Sequence, residues 1–398
     1  MEFDSHKEIN KEESVSYIIN ELGEDREQYF NAIAPPIIQS SNFAFNKVAD
    51  LRTAFEDEMS GYLYSRGLNP TVDILRKKLA ALDGAEEALV FANGAAAIFA
   101  GVLANVKSGD HIISVSNPYT WAQRTFDVIL PRFGITTTYV DGTDVANFEA
   151  AIKPYTTFIY LESPNSWTYE IQNIKAVAAL AKKHDIVTLI DNSYCTPLFQ
   201  KPIELGIDLC MQTATKYIGG HSDTLGGVLS GSHEAMKRIF DSEYLNIGSG
   251  ISPFNAWLLI RGLRTLPARL DRIERTTFEV IQFLKNHPKI EILLFPFDES
   301  FPQYALAKEQ MKGACGLFTF TLKEGSYQSI TRFCESLKHI LMAVSWGGHE
   351  SLVLPKCASL QPADFDPNNI QHQYIRMYAG LEEPAYLIAD LQQALDKV

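Results

Sequence analysis

The sequence of 398 residues has no apolar run approaching the roughly 20 residues that a helix needs to cross a bilayer. Its first 13 residues are acidic and contain neither a basic stretch nor an apolar core, so we expect no signal peptide. The cysteines are scattered without a CxxC pair, which is typical of free thiols in a reducing compartment; they are Cys195, Cys210, Cys315, Cys334 and Cys357. We therefore expect a cytoplasmic protein without a metal site.

Positive charge is also scarce: the sequence has 35 Lys and Arg residues but 48 Asp and Glu residues, and its formal net charge is −13. An acidic surface repels nucleic-acid phosphates and anionic lipid headgroups, so we expect neither nucleic acid nor a membrane as a partner. Any anionic cofactor must then be held by a local cluster of donors. The composition, 46% hydrophobic and 21% charged, suits a packed globular enzyme, and the length predicts two or three domains of roughly 100–200 residues.

From about residue 70 onwards, helical and strand-like patterns alternate. Asn69 and Pro70 are typical of a helix start, and Gly84 is typical of a helix end. Strand-like runs lie at 88–92, 111–115, 136–140, 157–161, 186–190 and 209–213, and helical patterns lie at 121–130, 144–152 and 174–184. This alternation predicts an α/β fold in which a mostly parallel sheet is covered on both faces by helices.

The two ends of the chain differ from this pattern. Residues 1–62 combine a short polar helix near 10–22 with an extended, proline-containing segment, and we expect this arm to contact a neighbouring subunit. Residues 63–260 form the expected cofactor-binding domain. Residues 261–398 are expected to form a smaller α+β domain, whose strand at 318–322 alternates as if one of its faces met water.

Lys216 follows the last of these strand-like runs, at the sheet edge where α/β proteins bind ligands. Taken alone, a lysine in this position is more typical of a surface loop. Asp191 ends the preceding strand, one strand–helix–strand unit earlier, and alone is more typical of a turn or cap. As a pair they suggest cofactor chemistry, since a carboxylate there can hold a protonated pyridine nitrogen.

A phosphate site is indicated on the same sheet edge. Asn93 and Gly94 begin a helix directly after a strand, where free backbone N–H groups bind anions and glycine permits close approach. Thr213 and Thr215 alternate on the strand end beside Lys216 and add hydroxyl donors. Each feature alone is ordinary turn chemistry, and a strand–glycine–helix junction by itself is a weak signal, but the set indicates a phosphate site close to Lys216 and Asp191.

Eight short segments, taken in order, resemble the trans-sulfuration (Cys/Met metabolism) family of pyridoxal-phosphate enzymes. They are YLYSRGLNPT (62–71), NGAAAI (93–98), LESP (161–164), IDN (190–192), ATKY (214–217), GHSD (220–223), VSWGGHES (344–351) and IRMYAGLE (375–382). The resemblance runs from about residue 34 to the C-terminus. It implies the fold-type I architecture of aspartate aminotransferase, with a mostly parallel large domain and a smaller C-terminal α+β domain.

The resemblance implies a role for each residue that matches a family motif. Lys216 matches the lysine that binds the cofactor as a Schiff base, and Asp191 matches the partner of the pyridine nitrogen. The implied phosphate donors are Gly94, Ala95, Thr213 and Thr215. Tyr119 matches the tyrosine that stacks on the cofactor ring, and it forms the expected catalytic pair with Lys216.

Other matches concern the substrate and a second subunit. Arg376, which alone could be a surface ion-pair residue, matches the arginine that binds the substrate α-carboxylate, and a guanidinium fork suits that bidentate contact. Tyr64 and Arg66 match a pair that reaches the phosphate from the neighbouring subunit. The resemblance therefore implies a shared active site and a homotetramer built from two dimers.

Residues on the substrate side separate the subfamilies and give conflicting indications. Ser345 and Trp346 resemble the cystathionine β-lyases, because most γ-enzymes have leucine where Trp346 stands. Val344 instead resembles the methionine γ-lyases. Trp121 stands where those enzymes have cysteine, and it either narrows the substrate pocket or packs at the start of its helix. Ser166 replaces the asparagine expected near the cofactor hydroxyl, as it does in the enterobacterial type of cystathionine β-lyase.

The leading interpretation is a pyridoxal-phosphate-dependent carbon–sulfur lyase acting on a small sulfur-containing amino acid. The best single assignment is a cystathionine β-lyase, which releases pyruvate, ammonia and a thiol. The alternatives are a γ-lyase acting on methionine or cystathionine, and a γ-replacement transferase such as a cystathionine γ-synthase or an O-acetylhomoserine sulfhydrylase. A protein that binds the cofactor without turnover, or a dinucleotide-binding domain, fits less well; the latter requires a fuller glycine fingerprint than the segment 93–95 provides.

Overall fold

The computed structural model describes residues 14–398, and its larger sheet has seven strands. They are β1 (Glu87–Phe91), β2 (His111–Val115), β3 (Thr136–Val140), β4 (Thr156–Glu162), β5 (Val187–Asp191), β6 (Leu209–Gln212) and β7 (Gly227–Gly231). Their order across the sheet is β1-β7-β6-β5-β4-β2-β3. Strands β2 to β6 pair in parallel and β7 is antiparallel to both of its neighbours, which confirms the mostly parallel sheet.

Helices cover both faces of this sheet, as the alternation in the sequence predicts. Those that precede the smaller sheet are α1 (Val15–Asn20), α2 (Val48–Glu56), α3 (Pro70–Asp83), α4 (Gly94–Leu103), α5 (Thr120–Arg124), α6 (Val145–Ala151), α7 (Ile174–Lys183), α8 (Thr196–Phe199), α9 (His233–Ile239), α10 (Leu245–Ile247), α11 (Pro253–Leu263) and α12 (Leu266–Asn286). Successive residues of β2 point to opposite faces of the sheet, and both faces are covered. Ile112 lies in a buried cluster with α4, and Ile113 lies in another buried cluster with α7.

The local helix signals are reproduced at α3 and altered after α5. The Asn69 side chain accepts a hydrogen bond from the Thr71 N–H at 3.0 Å, and Gly84 ends α3 with a φ of 70°. The helical pattern at 121–130 is present, but α5 continues as a π-helical turn at Thr125–Ile129 and a 3₁₀ turn at Leu130–Phe133. Pro131 lies within that last turn and lacks the N–H that a continuing α-helix would use.

The C-terminal part contains a second sheet and three further helices. The strands are β8 (Ile290–Leu294), β9 (Leu317–Leu322), β10 (Leu341–Met342), β11 (Leu352–Pro355) and β12 (Ile375–Tyr378), and the helices are α13 (Tyr304–Gln310), α14 (Tyr327–Ser336) and α15 (Pro384–Leu395). The strand order is β10-β11-β12-β9-β8, with only β10 and β11 parallel among the described pairs. The expected smaller α+β region is therefore present.

The expectation that β9 keeps one face in water is wrong, because all six of its residues are buried. Phe318 and Phe320 pack in a cluster with α12, α14 and α15. The threonines on the opposite face are covered as well, and the Thr319 hydroxyl donates a hydrogen bond to the Tyr169 hydroxyl at 3.2 Å. The alternating threonines of β9 therefore form a second packed face, in which their hydroxyl groups are hydrogen-bonded, and not a solvent-exposed face.

Several features of the fold were not predicted from the sequence, and several predictions are not tested by the structure. Strand β7 and helix α2 were not predicted. The glycines of β7 favour a turn in a sequence-based prediction.

The predicted domain boundary at 260/261 falls within α11, and the division into domains remains a prediction. The same holds for the contact of the N-terminal arm with a neighbouring subunit. Residues 10–13 of the predicted polar helix lie outside the described residues, and α1 occupies part of the remainder.

Within residues 14–398, no helix combines the length and the apolar character that crossing a bilayer requires.

A packing contact between α11 and the segment after Lys216 gives a test of the fold. A Cβ on Gly262 would lie 2.3 Å from the Ile218 carbonyl oxygen and 2.6 Å from that of Gly219. We expect Gly262→Ala to lower the free energy of unfolding by about 1–3 kcal/mol, measured by urea unfolding. Gly61→Ala is the matched control, because no atom lies within 4 Å of its added Cβ. Equal losses in both variants would contradict the packing described.

Candidate active site

A cavity of about 480 Å³ lies at the carboxyl ends of β4, β5 and β6, where the smaller sheet faces the larger one. Nine of the predicted site residues line it: Tyr119, Trp121, Asp191, Thr213, Lys216, Val344, Ser345, Trp346 and Arg376. They come from segments far apart in the sequence. The structure thus brings most of the predicted site into one place, while the role of each residue remains a prediction.

Lys216 is held by the loop that precedes β11. Its Nζ donates a hydrogen bond to the Ser345 hydroxyl at 2.5 Å and lies 5.3 Å from the centroid of the Trp346 ring. Gly347 packs directly on the lysine backbone, because an added Cβ would lie 2.9 Å from the Lys216 carbonyl carbon, and its φ of 88° also favours glycine. This packing fixes the start of the lysine side chain.

The electrostatic surroundings weaken the basicity of Lys216. Burial lowers its pKa to about 8, and the nearby positive charge of Arg376 acts in the same direction. The Asp191 carboxylate opposes both effects. A lysine with such a pKa has a substantial neutral fraction near neutral pH, and a neutral amine can act as a nucleophile or a base.

Asp191 ends β5 and is buried at the floor of the cavity, with only 6% of its surface exposed. Burial raises its pKa to about 6, although hydrogen bonds from Ser193 and the charge of Lys216 act against this rise. The Ser193 N–H donates to its Oδ1 at 2.9 Å. A desolvated carboxylate of this kind favours a cationic partner, and the protonated nitrogen of a pyridine ring meets that requirement.

The start of α4 meets Thr213 at the edge of the cavity. The Asn93 side chain caps the helix by accepting from the Ala96 N–H at 2.9 Å. A Cβ on Gly94 would lie 2.2 Å from the Thr213 Oγ1, so only glycine allows the helix terminus this close. Backbone N–H groups of a helix start and a threonine hydroxyl are suited to a phosphate group.

Five predicted cofactor residues do not line the cavity of this chain. Gly94 and Ala95 lie beside Thr213 without lining it, and the Thr215 hydroxyl accepts from the Gly226 N–H at 3.1 Å. Tyr64 and Arg66 are exposed, with the Arg66 Cζ 5.8 Å from the centroid of the Tyr64 ring. Their expected contact with the phosphate of a second subunit remains a prediction.

Glu162 is a site residue whose position the sequence analysis missed. It is buried at the end of β4, accepts from the Tyr119 N–H at 2.6 Å and also accepts from the Ser166 hydroxyl. Burial and the charge of Asp191 raise its pKa to about 8. Glu162 therefore fixes the backbone at Tyr119. The sequence did contain a signal for it, because Glu162 is an acidic residue at the end of a strand, as Asp191 is at the end of the neighbouring strand.

Two further missed residues lie near Arg376. The Arg376 Cζ lies 4.7 Å from the centroid of the Trp167 ring, and the Lys356 Nζ lies 4.5 Å from the same centroid. Arg376 also donates a long hydrogen bond of 3.4 Å to the Ser166 carbonyl oxygen. Trp167 and Lys356 both line the cavity. No local pattern in the sequence links residues that far apart.

The pKa of Asp191 gives a test of this site that does not depend on catalysis. Because burial raises the folded-state pKa to about 6, the folded chain binds the proton more tightly than the unfolded chain does. The contribution of Asp191 to stability is therefore lost as the pH rises from about 4 through 6. Asp191→Asn removes this loss, and we expect the cofactor-free variant to be more stable by about 1–2 kcal/mol at about pH 7.5.

Urea unfolding of the cofactor-free wild type and Asp191→Asn at both ends of this window provides the measurement. Little difference is expected at about pH 4, where the carboxyl group is protonated in the folded chain. A difference in unfolding free energy that is independent of pH would contradict the raised pKa.

The residues at the cavity thus fit pyridoxal phosphate on structural grounds, and comparisons with known proteins agree. A family model for Cys/Met metabolism PLP-dependent enzymes matches residues 17–396. The chain is 35% identical to an L-methionine gamma-lyase of Treponema denticola, over 93% of this chain and 94% of that protein. It is 34% identical to an L-alanine/L-glutamate racemase of Wolbachia pipientis, over 98% of both chains.

The fold agrees as well. The crystal structure of metB from Corynebacterium glutamicum superposes with a TM-score of 0.89 at 32% sequence identity, covering 96% of this chain and 98% of that one. This similarity confirms the fold-type I architecture implied by the sequence resemblance. The chain belongs to the pyridoxal-phosphate-dependent enzymes of cysteine and methionine metabolism.

Proposed function

We propose that this enzyme is a carbon–sulfur lyase of sulfur amino acids, with β-cleavage of cystathionine as its leading reaction. The observation that carries the proposal is the buried amine of Lys216, with a pKa lowered to about 8, in one cavity with Asp191 and Arg376. That arrangement combines a group able to move a proton with a carboxylate and a guanidinium that can orient an amino acid.

The chain offers a contact for each part of the cofactor. When bound, pyridoxal phosphate supplies an electron sink for the electrons left at the substrate Cα. Lys216 would hold its carbonyl carbon, and Asp191 its pyridine nitrogen. The start of α4 and Thr213 would bind its phosphate, and Tyr119 would lie against its ring.

The chain's own residues then bind the substrate and move its proton. Arg376 binds the substrate α-carboxylate and thereby sets the orientation of the Cα–H bond. The neutral Lys216 amine takes the proton from Cα, and Ser345 orients its Nζ through their hydrogen bond. The carbon–sulfur bond at Cβ then breaks, sulfur leaves as a thiol that takes up a proton, and hydrolysis of the three-carbon remainder gives pyruvate and ammonia.

Trp346 supports β-cleavage over γ-cleavage. Its ring packs 5.3 Å from the ring of Tyr217 and occupies space beside the Lys216 amine. Cleavage at Cγ requires a second proton to leave Cβ, so a base must move between two carbons. A large, packed indole beside Lys216 favours the shorter sequence of proton transfers.

γ-Cleavage remains the second candidate because of the similarity to a methionine gamma-lyase. Val344, which is exposed and lines the cavity, agrees with that alternative through its resemblance to those enzymes. A γ-replacement transferase would use the same residues with a thiol as the second substrate. Racemisation, named for the Wolbachia relative, also begins with removal of a Cα proton.

The products formed from L-cystathionine distinguish these reactions. We expect the purified enzyme to release pyruvate and homocysteine, detected by coupled assay and mass spectrometry. Lys216→Ala should lower the rate by roughly 10²- to 10⁴-fold, because it removes the proton-transferring group. Release of 2-oxobutyrate and cysteine would show γ-cleavage instead. Consumption of O-acetylhomoserine with sulfide, or D-alanine formation from L-alanine, in the absence of cystathionine cleavage would overturn the lyase proposal.

A further inference from the structure

Lys356 gives the cavity a second cation near Arg376. It directly follows β11, which pairs with β12, and its backbone N–H donates to the Tyr374 carbonyl oxygen at 2.8 Å. Its Nζ and the Arg376 Cζ both lie within 5 Å of the Trp167 ring centroid. We propose that Lys356 binds a terminal anionic group of the substrate side chain, so that the preferred amino acids carry a second carboxylate.

Neither cation has a carboxylate partner in the part of the chain that the structure describes, residues 14–398. Burial and the charge of Arg376 lower the pKa of Lys356, and burial also lowers the pKa of Arg376. Two partly desolvated cations close to each other are relieved when each meets an anion. The α-carboxylate satisfies Arg376 alone, which leaves Lys356 for a different group.

Apart from Lys216, the charged residues that line the cavity are divided between its two sides. The acidic residues Glu162 and Asp191 end strands of the larger sheet, whereas Arg376 lies in β12 of the smaller sheet and Lys356 directly follows β11. A substrate with an anion at each end can therefore lie along the basic side while its amino group faces the acidic side. The inferred substrates of the lyase proposed above are therefore amino acids with a second carboxylate. This inference rests on the proposed function only for the type of reaction.

Trp167 contacts both cations. Its ring is partly buried and its centroid lies within 5 Å of both cationic groups, so the indole forms an apolar wall beside them. The methylene or thioether atoms that join the α-carbon to a terminal carboxylate suit such a wall. Cystathionine has a distal carboxylate at the end of a thioether chain, and an S-carboxyalkyl cysteine has the same chemistry without the distal amine.

L-Glutamate and L-glutamine provide a matched pair of probes, because they differ in the terminal charge and contain no carbon–sulfur bond. Calorimetric titration of the holoenzyme gives both dissociation constants without elimination. We expect glutamate to bind roughly tenfold more tightly than glutamine. Lys356→Met should remove this preference and leave the affinity for glutamine within about twofold, while Lys356→Arg should retain it.

Lys308→Met is the matched control variant, because the Lys308 Nζ also lies over an aromatic ring, 5.5 Å from the Phe297 centroid, but does not line the cavity. It should leave both affinities unchanged. Two results would overturn the proposal. One is a wild-type enzyme without preference for glutamate. The other is a Lys356→Met variant that binds both amino acids equally more weakly, which would mean that Lys356 supports the α-carboxylate.

The binding test is independent of the reaction. If cystathionine is not cleaved but glutamate is preferred through Lys356, the lyase proposal fails and the anion site stands. If cystathionine is cleaved but Lys356→Met does not alter the preference, the anion site fails and the lyase proposal stands. The unchanged affinity of the variant for glutamine also shows that its cavity is correctly folded.

Discussion

The burial of one amine, that of Lys216, is the physical constraint on which the site depends. Burial disfavours the charged ammonium form of Lys216, and the neighbouring positive charge of Arg376 disfavours it further. The charge of Asp191 acts in the opposite direction but is outweighed by burial and by Arg376. The result is an amine with a pKa of about 8. A larger fraction of it is neutral near pH 7 than for an exposed lysine, and the neutral form is the one that nucleophilic and basic chemistry requires.

Two sheets must meet to create this environment. Asp191 and Glu162 end strands β5 and β4 of the larger sheet, and Lys216 follows β6. Arg376 lies in β12 of the smaller sheet, and Lys356 follows β11. Gly347, in the loop before β11, packs on the backbone of Lys216 and joins the two parts, whereas Gly94 packs on Thr213 within the larger part. The glycines thus set distances within the site.

Much of this organisation was predictable from the sequence, since local signals act over a few residues. The strands at 111–115 and 136–140 have the predicted bounds, and the cap at Asn69 forms as expected. Strand β7 was missed because its glycines are required by packing with distant residues and not by a local turn. A Cβ on Gly227 would lie 2.2 Å from the Asn93 carbonyl oxygen. The contact of Lys356 with Trp167 joins residues far apart in sequence, and the places of Tyr64 and Arg66 depend on a second subunit. Neither kind of contact leaves a local pattern.

The most direct test of the account is to trap the covalent link between cofactor and chain. Borohydride reduction of the holoenzyme followed by peptide mass spectrometry should place one phosphopyridoxyl group per chain on Lys216. The visible absorbance band of the unreduced enzyme should be lost or displaced in Lys216→Ala. A phosphopyridoxyl group on another lysine, or a band unchanged in that variant, would contradict the central position given to Lys216.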